Sequence, residues 1–205
     1  MRSVRSPNAR SSASKADADA RLDDALLVRR RARRLHSTGE VTRAIDRMAR
    51  EVTARLKDAN PVVLAVMQGG VFAAAALTAR LRFPHEFDYV HITRYGRGLT
   101  PGKLVWRVRP SAALRGRTVL VVDDILDRGH TLAALRKELV CSGVAKQYTA
   151  ALVVKRVPRA SGRPRVDFAG LTIDDVYVFG CGMDYRGYWR ELRALYAVDA
   201  GEASD

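Results

Sequence analysis

The residues with the clearest chemical potential lie in one short stretch, Asp123-Asp124-Ile125-Leu126-Asp127-Arg128-Gly129-His130-Thr131. Three carboxylates within five residues repel one another, so the stretch answers to a ligand rather than to packing. It follows Thr118 to Val122, consecutive β-branched and aliphatic residues that suit a buried strand. It precedes a helix expected from about Leu132 to Cys141, closed by Gly143. In open α/β sheets, ligands bind beyond the carboxyl ends of the strands. Backbone N–H groups at the Gly129 turn and the helix start form an anion site, to which Thr131 adds a hydroxyl. The carboxylates just before it suit sugar hydroxyls or the water shell of Mg²⁺. One segment thus takes a phosphate at one end and a polyol at the other, which describes a sugar phosphate.

The surrounding pattern supplies elements to hold this segment. Ser37 and Glu40 have capping-box spacing, and apolar residues at Val41, Ala44, Ile45, Met48, Val52 and Leu56 fall on one helical face, which predicts an amphipathic helix over 39–58. Asn60-Pro61 ends it. Val62 to Met67 reads as a buried parallel strand, Gln68-Gly69-Gly70 as a turn, and Val71 to Arg82 as an Ala-rich helix. Phe87 to Thr93, Leu104 to Val108, Tyr148 to Lys155 and Val176 to Phe179 read as further strands. Residues 94–103 are expected to be a Gly-rich mobile loop, 156–165 a basic loop, and 180–193 a loop and terminal turn. Strands alternating with helices predict an α/β protein with a central parallel sheet flanked by helices.

The chain has 205 residues and a net charge of +14, from 36 Lys and Arg against 22 Asp and Glu. Such a balance attracts polyanions, either nucleic acid or small phosphorylated molecules. Residues 1–20 hold Val4 as their one large aliphatic residue and read as a disordered basic tail, with a single domain over 21–205. Residues 21–35, with Leu22, Leu26, Leu27 and a run of arginines, fit a short basic helix. No apolar stretch approaches the roughly 20 residues of a membrane span. Cys141 and Cys181 cannot build a disulfide framework, and His36, His85 and His91 lack metal-ligand spacing, so no zinc site is expected. Reduced thiols without a secretory signal predict a cytoplasmic protein.

Residues 119–131 closely resemble the phosphoribosyl pyrophosphate (PRPP) binding motif of type I phosphoribosyltransferases. Other landmarks resemble the hypoxanthine-guanine, or 6-oxopurine, branch of that family. Met67-Gln68-Gly69-Gly70 is similar to its pyrophosphate loop, and Arg94-Tyr95-Gly96 to the start of its catalytic lid. Val154-Lys155-Arg156 with Pro158-Arg159 is similar to its purine-facing strand end. Asp167 to Gly170, Tyr177-Val178 and Met183-Asp184-Tyr185 resemble its C-terminal hood. The landmarks fall in family order from about residue 37 to 198. The resemblance implies a small hood formed by the two termini, and transfer of 5-phosphoribosyl from PRPP to hypoxanthine or guanine with Mg²⁺. It implies that Asp123 and Asp124 hold the ribose hydroxyls, and that Asp127 manages the purine N7 proton. Arg128, Gly129, His130 and Thr131 take the 5-phosphate, while Gln68, Gly69 and Arg190 take pyrophosphate. Lys155 donates to the purine 6-oxygen, Tyr177 stacks on the ring, and the Val178 carbonyl accepts from a guanine amino group. Asp184, with Asp123 and Asp124, serves the metal, and Arg94 and Tyr95 belong to a lid that excludes water. A homo-oligomer, dimer or tetramer, is expected by the same analogy. Four positions depart from the family pattern: Gln68 where Lys is frequent, Asp123 where Glu is frequent, Arg94 for Ser, and Arg128 for a small Ser or Thr.

Two other readings compete. Asp123-Asp124-Ile125-Leu126-Asp127 matches the Asp-Asp-x-x-Asp box of isoprenoid synthases, but that box sits on a helix of an all-α protein and here follows a β run. The basic segment motivates a phosphoribosyltransferase-fold regulator that binds nucleic acid and senses PRPP. No helix-turn-helix, zinc or RNP pattern supports it, so no nucleic-acid partner and no membrane are expected.

Overall fold

A computed structural model describes residues 15–94, 104–157 and 163–198. In chain order the elements are α1 (Lys15–Arg31), β1 (Arg33–His36), α2 (Thr38–Leu56), β2 (Val62–Met67), α3 (Gly70–Thr78), β3 (Glu86–Arg94), β4 (Leu104–Val108), β5 (Thr118–Leu126), α4 (His130–Cys141), β6 (Lys146–Arg156), β7 (Phe168–Asp174), β8 (Val178–Phe179) and β9 (Leu195–Ala197).

Among the described residues, the main sheet has the order β4-β3-β2-β5-β6-β7 and a smaller sheet the order β1-β9-β8. The neighbours from β3 to β7 are parallel, and β4 joins β3 antiparallel at the edge. Parallel strands need cover on both faces, which explains their unbroken apolar runs. Val63, Ala65, Leu120, Val122 and Leu152 meet α2 and α3 on one face. Leu64, Val66, Val119, Val121 and Ala151 meet Leu132, Leu135 and Leu139 of α4 on the other. Helix α2 opens on the expected capping box, in which the Ser37 amide donates to Glu40 at 2.8 Å and the Glu40 amide donates to Ser37 Oγ at 3.3 Å.

The small antiparallel sheet is the hood, and both ends of the described chain build it. Ala25 and Val28 of α1 pack with Phe179, Tyr185 and Val198. Tyr196 stacks on Phe179 with ring centroids 5.6 Å apart, and the Arg29 guanidinium lies 4.0 Å above the Tyr196 ring. The Trp189 indole donates to the Ala25 carbonyl at 2.9 Å.

Several sequence expectations need correcting. The basic helix expected over 21–35 stops at Arg31, because Arg33–His36 pairs with β9, a contact some 160 residues away in sequence that local pattern cannot reveal. The same helix starts at Lys15, inside the expected tail: the alanines there are strong helix formers, and Asp17 sits in the first turn, where a negative charge is favourable. Residues 1–14 lie outside the described residues. Helix α3 ends at Thr78 rather than Arg82, since the chain turns there to enter β3. Phe168–Asp174, including residues assigned to the hood, is instead an edge strand of the main sheet beside β6.

Phe179 is fully buried at the centre of the hood, whereas Val140 on α4 is 67% exposed. Phe179→Ala is expected to cost about 3–5 kcal/mol. Val140→Ala is expected to stay within about 0.5 kcal/mol of the parent. Urea unfolding of both variants checks the contrast.

Candidate active site

Strand β5 runs farther than its β-branched core suggests. It continues through Asp123 and Asp124 to Leu126, because β6 extends alongside and supplies partners up to Leu126↔Val154. The paired aspartates therefore lie on the strand's carboxyl end. The Asp124 amide donates to Asp123 Oδ1 at 3.0 Å, and the Ile125 amide to Asp124 Oδ1 at 2.8 Å. Burial is the main force raising both carboxyls above the usual range, and the Asp124 charge pushes Asp123 further up. At Asp124 hydrogen bonding with Asp123 and the Ile125 amide, and after them the Arg190 guanidinium, partly offset this.

Gly129 makes the turn into α4 with φ +82°, a left-handed conformation that favours glycine. No side chain caps α4, which leaves the amides of its first turn for a ligand. A cavity of about 260 Å³ is lined by Gly69, Asp123, Asp124, Asp127, Arg128, Gly129, His130 and Thr131, among others. Gly69 belongs to the turn after β2, where the Met67–Gln68 peptide is cis. Any Cβ at Gly69 would lie 1.6 Å from Asp124 Oδ2, so only glycine lets this turn approach the acidic pair. Gln68 is exposed and does not line the cavity.

The purine-reading candidates stand next to this cavity. Lys155, at the end of β6, has a side chain only 12% exposed; its ammonium lies 3.8 Å from Asp127 Oδ2 and 3.2 Å from Asp175 Oδ1. Arg128 reaches Asp175 Oδ2 at 2.8 Å and Asp127 Oδ1 at 3.9 Å. Two acids and two bases thus alternate around one point. Asp127 Oδ1 is buried with no hydrogen-bond partner, so it retains acceptor capacity in the site.

The hood contributes the remaining candidates. Tyr177 is 43% exposed, donates through its hydroxyl to the Asp184 carbonyl at 3.2 Å, and stands edge-on to Tyr185. Its neighbour Val178 is buried in β8. Asp184 pairs with Arg190 at 2.5 Å and accepts from the Gly187 amide at 2.7 Å. Arg190 also donates to the Gly182 carbonyl at 2.7 Å, and Gly182 packs against the Gly69 carbonyl. The hood loop therefore closes on the turn after β2. Arg94 ends β3. Tyr95 and the rest of the expected lid, and Pro158 and Arg159, lie outside the described residues.

Two residues emerge that the motif reading passed over. Asp175 belongs to none of the sequence motifs. Arg163 had been one of several bases in a loop; its guanidinium donates to the carbonyls of Leu126 at 3.0 Å, Asp127 at 2.8 Å and Lys155 at 2.9 Å. No spacing rule identifies either residue, because their partners are 8 to 47 positions away.

Comparison with known proteins agrees with this geometry. A family model described as phosphoribosyl transferase domain matches residues 32–186. The hypoxanthine phosphoribosyltransferase of Salmonella typhimurium is 30% identical over 156 residues, covering 75% of this chain and 87% of the relative. The hypoxanthine-guanine-xanthine phosphoribosyltransferase of Tritrichomonas foetus is 29% identical over 161 residues, covering 78% and 88%. A solved structure of a hypoxanthine-guanine-xanthine phosphoribosyltransferase superposes with a TM-score of 0.69 at 28% identity, covering 81% of this chain and 96% of the other. The chain belongs to the phosphoribosyltransferase family, alongside the hypoxanthine phosphoribosyltransferases.

Proposed function

We propose that this protein transfers the 5-phosphoribosyl group of PRPP to hypoxanthine or guanine, giving IMP or GMP and pyrophosphate. One observation carries the reading: Asp127 lines the phosphate cavity and lies 3.8 Å from Lys155, so the sugar-phosphate and purine subsites meet at one carboxylate. The bond from C1 to pyrophosphate breaks as the bond from C1 to the purine nitrogen forms, through a cationic ribosyl state. Asp123 and Asp124 hold the ribose hydroxyls, and their charge favours that cation. The first turn of α4, with Thr131 and Arg128, holds the 5-phosphate. Asp127 holds or moves the proton at purine N7. Lys155 donates to the 6-oxygen, Tyr177 covers the ring and the Val178 carbonyl meets a 2-amino group. Gly69 and Arg190 face the pyrophosphate, whereas Gln68, exposed outside the cavity, contributes no contact there. No nucleic-acid-binding observation favours the regulator reading.

Mg²⁺ suits the donor set. Among the described residues no three His, Cys, Asp or Glu side chains converge as a metal cage. The ion ordinarily binds through one or two carboxylates together with substrate phosphates. The recessed pair Asp123 and Asp124, whose burial a cation would offset, and Asp184 are the groups that would hold it or its waters. When bound, it neutralises charge on the departing pyrophosphate.

No described helix is long and apolar enough to cross a membrane. Phe87 and Tyr89 are 53% and 44% exposed on the sheet face that α2 and α3 cover elsewhere. This uncovered apolar strip supports assembly of the chain with copies of itself. Sedimentation of the wild type is expected to show an oligomer and Phe87→Lys a smaller species; equal masses would remove this surface from the interface.

Turnover assays with PRPP, Mg²⁺ and four purines test the main reading. Asp127→Asn keeps shape but cannot take a proton, and is expected to lower kcat by about 10²–10⁴ while PRPP binding survives. Near-normal kcat would remove Asp127 from the mechanism. An ammonium has donors and no acceptor, so it satisfies a 6-oxygen but opposes the 6-amino group of adenine. Adenine is therefore expected to be poorer by up to about 10⁴–10⁵. Lys155→Met should narrow that gap with PRPP affinity little changed. An unaltered ratio would show that Lys155 does not read the base.

A further inference from the structure

We infer that Arg163 is a positioning residue that sets the distance between the proton-handling Asp127 and the purine-reading Lys155. The inference rests on the functional reading of those two residues given above, and extends it to a third residue that does not line the phosphate cavity.

The parallel ladder between β5 and β6 has its last paired residues at Leu126↔Val154. Beyond it β5 enters the turn at Asp127, while β6 goes on pairing with β7 as far as Arg156↔Asp174. The end of β5 thus leaves the ladder, and buried carbonyls need partners. Arg163 takes over at this point. Its Nε donates to the Asp127 carbonyl at 2.8 Å. Its Nη2 donates to the Leu126 carbonyl at 3.0 Å and the Lys155 carbonyl at 2.9 Å. All three bonds are part-buried. A guanidinium is planar and rigid, so one group fixes both strand ends in a single geometry. Bonds from an ionised donor are about twice as strong as neutral ones.

The adjoining residue ties the same bracket to the phosphate turn. A Cβ at Gly129 would lie 2.7 Å from Pro164 Cδ and 3.4 Å from Arg163 Cγ. Arg163-Pro164 therefore leans on the turn that begins α4 while bonding the carbonyls of Asp127 and Lys155. The chemical consequence is specific. The carboxylate that handles the purine proton and the ammonium that reads the 6-oxygen keep a fixed separation, which one planar base must span. A misplacement of about 1 Å at such a site can cost 10²-fold in rate.

Kinetics of Arg163→Met and Arg163→Lys, with each substrate varied in turn and with PRPP affinity measured directly by calorimetry, test this. Met keeps length and loses every donor; Lys keeps the charge and can reach only part of the set. For Arg163→Met, kcat/KM for hypoxanthine is expected to fall about 10- to 100-fold. PRPP affinity should stay within about twofold, the hypoxanthine-over-adenine preference should shrink, and Arg163→Lys should recover part of the loss. Unchanged purine kinetics would overturn the inference. So would PRPP affinity falling as much as purine kcat/KM, which marks general damage. Should the Met variant fail to fold, the same split in Arg163→Lys decides. A wild type with no turnover would instead defeat the functional reading itself, an outcome distinct from a failure of Arg163 alone.

Discussion

The in-register pairing of β5 with β6 is the constraint from which the candidate site follows. It runs from Thr118↔Lys146 to Leu126↔Val154 and places Asp127 and Lys155, the residues just beyond it, side by side. The pairing is held by apolar side chains on both faces, with Leu120, Val122 and Leu152 toward α2 and α3 and Val121 and Ala151 toward α4. A parallel strand buried on both faces cannot slip by one residue without exchanging its two sets of side chains. The chemistry of the site therefore inherits its precision from the core, through backbone rather than through long polar side chains.

This arrangement concentrates charge where burial opposes it. Asp123 and Asp124 sit recessed with raised carboxyl pKa values, a free-energy cost in the unliganded chain. Arg190 offsets part of it, and Arg190 is itself fixed by Asp184 and the Gly182 carbonyl in the hood. Lys155 and Arg128 share Asp175, which keeps two cations beside Asp127 without leaving either unpaired. In the proposed reaction, ribose hydroxyls, phosphate and a purine oxygen replace these internal partners. The site is a set of charges arranged to exchange partners when substrate arrives.

How much of this was legible in the sequence depended on range. Short-range signals succeeded: the Ser37 and Glu40 capping box, the apolar runs of β2 and β5, and the Gly129 turn all act within a few residues. The acidic cluster was readable because strand, turn and helix follow in one stretch. Pairings across the chain were not. β1 reads as a continuation of a basic helix until β9 lies beside it, and β7 reads as hood until β6 lies beside it. Asp175 and Arg163 acquire their partners only once β6 is in place. The departures at Gln68 and Arg128 also separate in the structure. Gln68 stays exposed outside the cavity, while Arg128 lines it and pairs with Asp175.

The central claim is that the ends of β5 and β6 form one site in which a phosphoribosyl donor meets a 6-oxopurine. The most direct measurement is product analysis after incubating the protein with PRPP, Mg²⁺ and hypoxanthine. The account predicts IMP and pyrophosphate in equal amounts, with neither formed when hypoxanthine is left out. Release of pyrophosphate without nucleotide, or no consumption of PRPP at all, would contradict it.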